Sequence, residues 1–251
     1  MINSSQSVDN QLVVSPPPIG RDSGGHVILS GDDLFAADRG GLSLLSGPFA
    51  KIGPRDYQGG LTAEQFLLHE IRVAARLLLE GHPVAECLSL IRQGNLFQYP
   101  TERQLNRIAG ACYKRLAALG QESLVRGIAV APLRVAAQIN LYAMMRYNRL
   151  VWDFMVGVIG EKFRTLDFSF SRTDLNAFFS RLQAQHDSVA GWSVSTIGKI
   201  KGVLVRSLVE TEFLEGPRAS SLSPVWLCED LEQGIKSNGD TAALTAFNFS
   251  I

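Results

Sequence analysis

The sequence is poor in cysteine and contains no long apolar run. Three cysteines occur among its 251 residues, at Cys87, Cys112 and Cys228, and none belongs to a CxxC pair. An odd number of widely spaced cysteines predicts neither a disulfide framework nor a zinc site. No uncharged apolar run approaches the ~18 residues of a membrane-spanning helix. The first ten residues also lack the basic and apolar regions of a signal peptide. We therefore expect a cytoplasmic protein without a membrane segment.

Sequence motifs of catalysis are missing as well. The chain has no GxxxxGK[ST] phosphate loop, no GxGxxG fingerprint and no GxSxG elbow. His69 and Glu70 begin no HExxH motif, and none of the four histidines has a carboxylate or cysteine at metal-ligand spacing. We expect no enzyme activity, no cofactor, no metal and no small-molecule substrate.

The net charge is zero, but the charge is unevenly distributed. Residues 1–57 carry four basic and six acidic side chains, and residues 219–251 carry one basic and four acidic. The 161 residues between them carry 19 basic and 14 acidic side chains, a net charge of +5. A basic middle between acidic ends favours an anionic partner, most often nucleic acid. Ordinary surface variation explains so modest an excess equally well.

The chain divides by composition into three parts. Residues 1–57 contain Ser15-Pro16-Pro17-Pro18 and several Gly-Gly or Gly-Pro pairs, which indicates a poorly ordered extension. Residues 58–216 show helical periodicity and no strand alternation, which predicts a compact all-α domain of several helices. Residues 217–251 are expected to form a C-terminal tail with one short helix and loose final residues.

Capping residues, prolines and glycines set the expected helix boundaries. A short β-ribbon between Leu214 and Leu222 is one further alternative. The expected helices run from Thr62 (with Gln65 in a capping box) to Glu80, Pro83 to Gly94, Thr101 to Gly120, Pro132 to about Phe163 with a break near Tyr147-Asn148, Ser171 to about Gln185, Ser193 to about Phe213, and Ser223 to Ile235.

The Thr101 helix has a basic stripe opposite its apolar face. Arg103, Arg107 and Lys114 fall within about 40° of one another at 100° per residue, and Arg115 flanks them. Three cations in a line can follow a phosphate backbone, although a solvated helix face is commonly basic too. The absence of acids along this stripe favours the first interpretation.

The Ser193 helix has a second stripe, made of Ser195, Lys199, Gly202 and Arg206. Its glycine, with Gly198 beside it, could admit a partner close to the backbone or could mark tight helix packing. Lys201 on the same helix is a further candidate DNA contact. The preceding helix, a connector and this helix would form a helix-turn-helix, and a following ribbon would make it winged.

Many short motifs occur in order over about Gln58 to Gly216. The motifs are Gly60-Leu61-Thr62, Phe66 to Glu70, Ala75 to Gly81, Asn95 to Tyr99, Thr101 to Arg103, Leu141 to Tyr147, Arg149-Leu150, Asp174 to Asn176, Phe178-Phe179, Trp192-Ser193 and Ser195-Thr196. Together they resemble the BrxA family of the bacteriophage exclusion (BREX) defence systems. The resemblance implies a small all-helical protein encoded beside a BREX methyltransferase and ATPase, able to bind DNA, with no catalytic residues to carry over.

Together these features predict a non-catalytic accessory protein that binds double-stranded DNA, mainly through its phosphates. The alternative is a protein–protein adaptor within the BREX complex that does not itself bind DNA and docks through apolar patches and the N-terminal extension. Other BREX proteins are candidate partners in either case. The candidate DNA contacts are Arg103, Arg107, Lys114, Arg115, Lys199, Lys201 and Arg206.

Overall fold

The computed structural model of the protein describes residues 57–247. Within that range the fold is all-helical, as predicted, and the only β-type pairing is an isolated antiparallel bridge between Ser169 and Ser221. The predicted extension at residues 1–57 lies outside the described residues except for Tyr57. The helices are α1 Leu68–Leu79, α2 Val84–Gln93, α3 Glu102–Leu119, α4 Glu122–Val130, α5 Leu133–Tyr147, α6 Arg149–Phe154, α7 Glu161–Arg164, α8 Arg172–Gln185, α9 Asp187–Ala190, α10 Val194–Glu210, α11 Glu229–Ser237 and α12 Ala242–Thr245.

Four helices form the centre of the fold. Helices α1, α3, α4 and α5 pack on one another, and α2 packs on α1 and α3. Their contact faces are apolar, and α5 is buried almost throughout its length from Ala136 to Arg146. Burial of these apolar side chains is the main source of stability for such a bundle. Helix α4 was not predicted from the sequence.

The first helix begins later than predicted. Thr62 lies in a 3-10 turn, Gly59–Thr62, and α1 starts only at Leu68. Leu67 between them has a φ of 56°, in the left-handed region that residues other than glycine rarely adopt. The capping box predicted from Thr62 and Gln65 is therefore wrong.

Two other capping signals are confirmed, whereas the helix start predicted at Ser223 is wrong because α11 begins at Glu229. Thr101 accepts a hydrogen bond from the backbone N–H of Gln104, and Ser171 forms a full capping box with Asp174. The predicted break after Tyr147 occurs at Asn148, whose side chain accepts from the N–H of Leu150 and so starts α6. Short polar side chains fix these helix starts because they satisfy N–H groups that have no partner within the helix.

A π-helical segment, Met155–Gly160, joins α6 to α7 without a break. Helix α12 packs against this segment. A Cβ atom on Gly160 would lie 2.6 Å from Thr245 Oγ1 and 3.2 Å from the backbone nitrogen of Ala246. Glycine is therefore required there for the close approach of two backbones.

The C-terminal part is more ordered than predicted. It contains two helices, α11 and α12, where one short helix and loose final residues were expected. Gln121 donates to the carbonyl of Gly234 at 2.8 Å, and Asn238 donates to that of Leu119 at 3.0 Å. Hydrogen bonds and packing therefore hold residues 229–247 against the central helices.

The segment after α10 forms no local ribbon. The N–H of Leu222 donates to the Phe168 carbonyl at 2.7 Å, so this segment pairs with residues before α8. The expected ribbon between Leu214 and Leu222, and with it the wing, is absent from the described residues. Helices α8 and α10 are connected through the one-turn helix α9, and a helix-turn-helix role for them stays a prediction.

Candidate nucleic-acid interface

Three of the predicted contacts lie on the solvent-facing side of α3. Arg103, Arg107 and Lys114 are exposed, and among residues 57–247 none of them forms an ion pair. The opposite face is buried, as the periodicity predicts. The α3 stripe, defined as these three residues, is thus a set of accessible positive charges.

An acidic residue from outside the helix lies near this stripe. Glu64 belongs to the segment between the 3-10 turn and α1, and it is half-buried. Burial raises the pKa of its carboxyl above the ordinary value, although Arg115, Lys114 and Arg107 favour its ionised form. The α3 helix itself has no acid along the stripe, but Glu64 brings a carboxyl near Arg107 and Lys114 from outside the helix.

Arg115 does not belong to the surface. Its side chain is only 1 % exposed, and its guanidinium donates to the carbonyls of Phe66 (3.1 Å), Glu64 (2.6 Å) and Gln65 (2.9 Å). Burial lowers its pKa from the ordinary arginine value. Its assignment as a DNA contact is corrected: Arg115 holds the segment before α1 in place.

Helix α10 presents the second basic stripe. Ser193 caps the helix by accepting from the N–H of Thr196 at 3.1 Å. Lys199 and Arg206 are exposed, and Arg206 Nε lies 3.3 Å from Glu210 Oε1. Ion pairs this exposed contribute only about 0–1 kcal/mol, so Arg206 remains able to bind another anion.

The two glycines of α10 face open space. A Cβ atom added at Gly198 or at Gly202 would meet no described atom within 4 Å. Among residues 57–247 these glycines therefore serve no close helix packing. The prediction that they admit a partner close to the backbone stays a prediction.

Lys201 contacts α8. Its ammonium donates to Asn176 Oδ1 at 2.7 Å and lies 5.3 Å from the centre of the Phe179 ring. These contacts connect α10 to α8 and occupy the side chain. We therefore assign Lys201 to the contact between the two helices and leave it out of the interface.

An open cleft of about 720 Å³ lies between the helices that carry the stripes. Gln104 and Ile108 of α3 line it, as do Arg206 and Glu210 of α10. The start of α1 and Tyr99 complete its wall. The cleft thus connects the neighbourhood of the α3 stripe with Arg206 of the α10 stripe.

Two basic residues of this cleft were missed from the sequence. Arg72 donates to the carbonyl of Ala131 at 2.9 Å, and Arg76 donates to that of Ala129 at 3.3 Å. Both belong to α1 and line the cleft. Their i, i+4 spacing was a signal that they share one helix face.

The described residues hold no group of three or more His, Cys, Asp or Glu side chains placed to bind a metal. Cys87 and Cys112 are buried free thiols, and burial raises the pKa of both. None of the helices within residues 57–247 combines the length and apolar character needed to cross a membrane.

Comparison with known families identifies the domain. The model of the BrxA family matches residues 55–239, which is most of the chain. The chain belongs to the BrxA family. The match covers all helices from α1 to α11, so the BrxA domain includes both stripes and the cleft.

Two BrxA relatives extend the similarity over nearly their whole lengths. The BREX protein BrxA of Bacillus cereus (strain H3081.97) is 29% identical over 185 residues, covering 73% of this chain and 92% of that protein. The BREX protein BrxA of Escherichia coli O9:H4 (strain HS) is 26% identical over 199 residues, covering 79% and 90%. Membership of the BREX antiphage systems follows from this family.

A solved structure shares the BrxA fold. The crystal structure of an uncharacterized protein from Magnetospirillum magneticum matches with a TM-score of 0.66 and 21% sequence identity. The match covers 77% of this chain and 98% of the other. At this identity the similarity concerns the fold alone.

Proposed function

We propose that this BrxA-family protein is a non-catalytic, cytoplasmic accessory component of a BREX system that binds double-stranded DNA. The proposed contacts are Arg103, Arg107 and Lys114 on α3, with Lys199 and Arg206 on α10. All five side chains are exposed. They bind phosphates, so the affinity depends on salt and only weakly on base sequence.

The observation that carries the proposal is the shared cleft. Both helices that expose a basic stripe also contribute residues to one open cleft, through Gln104 and Ile108 on α3 and Arg206 on α10. The positive charge on its walls comes from Arg206 of α10 and from Arg72 and Arg76 of α1, and the α3 stripe lies on the helix that forms a further part of the lining. An elongated polyanion can contact adjacent walls at once, whereas a single stripe would hold it by one line of charges.

Salt dependence gives the proposal a quantitative form. Each phosphate neutralised on B-DNA contributes about −0.9 to the slope of log K against log salt concentration. Five phosphate contacts therefore predict a slope of roughly −4 to −5. Losing two of them reduces its magnitude by roughly 2.

The decisive experiment measures binding of a short DNA duplex by fluorescence anisotropy at several salt concentrations. The variant Lys199→Glu/Arg206→Glu is compared with Arg126→Glu/Arg164→Glu, which changes the net charge equally at exposed sites that do not line the cleft. We expect a large loss of affinity and a smaller slope only in the first. Equal binding by both folded variants removes α10 from the interface, and no binding by the wild-type protein at low salt refutes DNA binding.

One observation favours the second candidate, a protein–protein adaptor within the BREX complex. The Trp226 side chain is 88 % exposed, although the buried Gln138 donates to the Trp226 carbonyl at 2.8 Å and accepts from the N–H of Cys228. A tryptophan on a fixed backbone suits an interface centre, because ordering it on binding costs little entropy.

The adaptor role is tested by co-purification with the other BREX proteins at high salt. Trp226→Ala should abolish an interaction that survives high salt, while DNA affinity stays unchanged. Exposed Leu166, 74 % accessible, provides the matched control Leu166→Ala. Equal recovery of partners with both variants would exclude Trp226 as the docking residue.

A further inference from the structure

Arginines from opposite walls line the cleft between α1 and α10. Arg72 and Arg76 lie one helical turn apart on α1, and Arg206 belongs to α10. Within residues 57–247 the two α1 arginines donate to main-chain carbonyls at the end of α4 and form no ion pair. These contacts orient both guanidinium groups, and the negative end of the α4 dipole offsets only part of their two positive charges.

The two acids that line the cleft form no ion pair with Arg72 or Arg76 among residues 57–247, although Glu70 adds a negative charge to the cleft. Glu70 accepts a hydrogen bond from the Tyr99 hydroxyl at 2.8 Å, and Glu210 pairs with Arg206 on the α10 side. Burial and the neighbouring Arg76 charge lower the pKa of Arg72. The two neighbouring positive charges of Arg72 and Arg76 create a positive electrostatic potential in the open cleft, which favours binding of an anion.

The chemistry of guanidinium selects the class of anion. Its planar fork donates two parallel hydrogen bonds to a tetrahedral oxyanion, and arginine therefore recurs in phosphate recognition. Since Arg72 and Arg76 are fixed by the α4 carbonyls, little side-chain entropy is lost when they bind. The volume of about 720 Å³ admits a phosphate group together with the sugar or base attached to it.

We propose that this cleft is a phosphate-binding subsite, in which Arg72 and Arg76 hold one phosphate group from the α1 side and Arg206 approaches from α10. When the phosphate belongs to a DNA backbone, the subsite rests on the proposed function and adds α1 to the interface. When it belongs to free phosphate or a phosphomonoester, the same donors form a small-anion site.

The experiment uses the full chain and two probes, inorganic phosphate and a short DNA duplex. Thermal unfolding is followed during titration with phosphate at constant ionic strength, with chloride replacing phosphate in the reference. The test variant is Arg76→Gln, and Arg164→Gln is the control with the same charge change outside the cleft. Arg72→Lys is a second variant that keeps a donor near the Ala131 carbonyl, in case larger changes unfold α4.

We expect phosphate, but not chloride, to raise the melting temperature of the wild-type and Arg164→Gln proteins. Arg76→Gln should weaken phosphate binding by about tenfold, the effect of losing one charge-assisted contact. A parallel loss of about tenfold in duplex affinity identifies the DNA backbone as the source. Unchanged duplex affinity with lost phosphate binding identifies a small-anion site.

The outcomes separate this subsite from DNA binding itself. If phosphate stabilises no protein more than chloride does, and Arg76→Gln binds the duplex like Arg164→Gln, the subsite is refuted. DNA binding that depends on Lys199 then stands without it. Conversely, phosphate binding lost in Arg76→Gln, with no duplex binding by any protein, supports the subsite and refutes only the DNA proposal.

Discussion

Arg115 of α3 and Asn140 of α5 donate to the same carbonyl oxygen, that of Phe66, at 3.1 and 2.6 Å. Both side chains are fully or almost fully buried. One carbonyl in the segment before α1 therefore holds two central helices at a fixed spacing. Arg115 also satisfies the carbonyls of Glu64 and Gln65. These side chains explain why the chain stays non-helical up to Leu67.

Arg115→Met should lower the free energy of unfolding by about 3 kcal/mol, because the part-buried carbonyls of Glu64 and Gln65 lose their donor and the Phe66 carbonyl loses one of two. Urea denaturation followed by circular dichroism measures the loss. Lys114→Met, an exposed neighbour on the same helix, should change stability by no more than about 0.5 kcal/mol. A stable Arg115→Met protein with reduced DNA affinity would contradict the structural role of Arg115.

Glu64→Gln should strengthen DNA binding by about threefold at neutral pH, since one negative charge near Arg107 and Lys114 is removed. The variant should also be more stable there. Because the folded-state pKa of Glu64 is raised, ionisation costs the folded protein stability at pH values above that pKa. The cost disappears as the pH falls through it.

The pH profile provides the control for Glu64. Below a pH of about 4 the carboxyl is largely neutral in folded and unfolded chains, so wild-type and Glu64→Gln proteins should converge in urea midpoint. A stability difference that is the same at neutral and acidic pH would show that charge is not its cause.

Asp240→Ala should cost about 3–5 kcal/mol, because it removes a buried carboxylate that pairs with Arg146 and accepts a hydrogen bond from Tyr142. The pair is 2.9 Å apart with both side chains 4% exposed, and Tyr142 donates to the same carboxylate at 2.8 Å. Thermal unfolding measures the effect. Glu232→Ala removes an exposed ion pair with Lys236 on α11 and should cost less than about 1 kcal/mol. Similar losses from both variants would be inconsistent with a special role for the buried pair.

Two glycine-to-alanine changes should have opposite effects on stability. Gly160→Ala forces α12 away from the π-helical segment and should destabilise the protein by about 1–3 kcal/mol. The methyl group added by Gly202→Ala would contact no described atom, and alanine favours the helix more than glycine does. This change should therefore stabilise the protein by up to about 1 kcal/mol. Chemical denaturation compares the two.

We also expect Gly202→Ala to lower DNA affinity, because its methyl group keeps a partner from the backbone. Unchanged affinity would mean that no partner approaches there.

Local signals in the sequence predicted much of the fold. The starts of α3, α8 and α10 follow from Thr101, Ser171 and Ser193, because a capping side chain acts within three residues of itself. Helix α4 gave no such signal, since its N-cap residue Gln121 makes no side-chain cap. Its C-terminal carbonyls are instead satisfied by Arg72 and Arg76, more than fifty residues earlier in the chain.

Residues of the candidate interface could be predicted only where their position on the helix, given by the 3.6-residue repeat, decides whether their side chains are exposed to solvent. Arg103, Arg107 and Lys114 share one face of α3, and all are exposed as that face predicts. Arg115 lies next to Lys114 in sequence, but its side chain is buried because it donates to carbonyls 49 to 51 residues away. Periodicity within one helix carries no information about such partners, and it likewise missed a cleft built from α1, α3 and α10.

The late start of α1 has a consequence for the order of folding. The residues from Glu64 to Phe66 are synthesised before α3 and α5, yet their carbonyls obtain donors only when Arg115 and Asn140 arrive. While the chain emerges, those carbonyls can be satisfied by water or by extending α1 toward its N-terminus. The hydrogen bonds that Arg115 and Asn140 donate to this segment can therefore form only after α3 and α5 have been synthesised, and we expect the left-handed turn at Leu67 to be fixed only then.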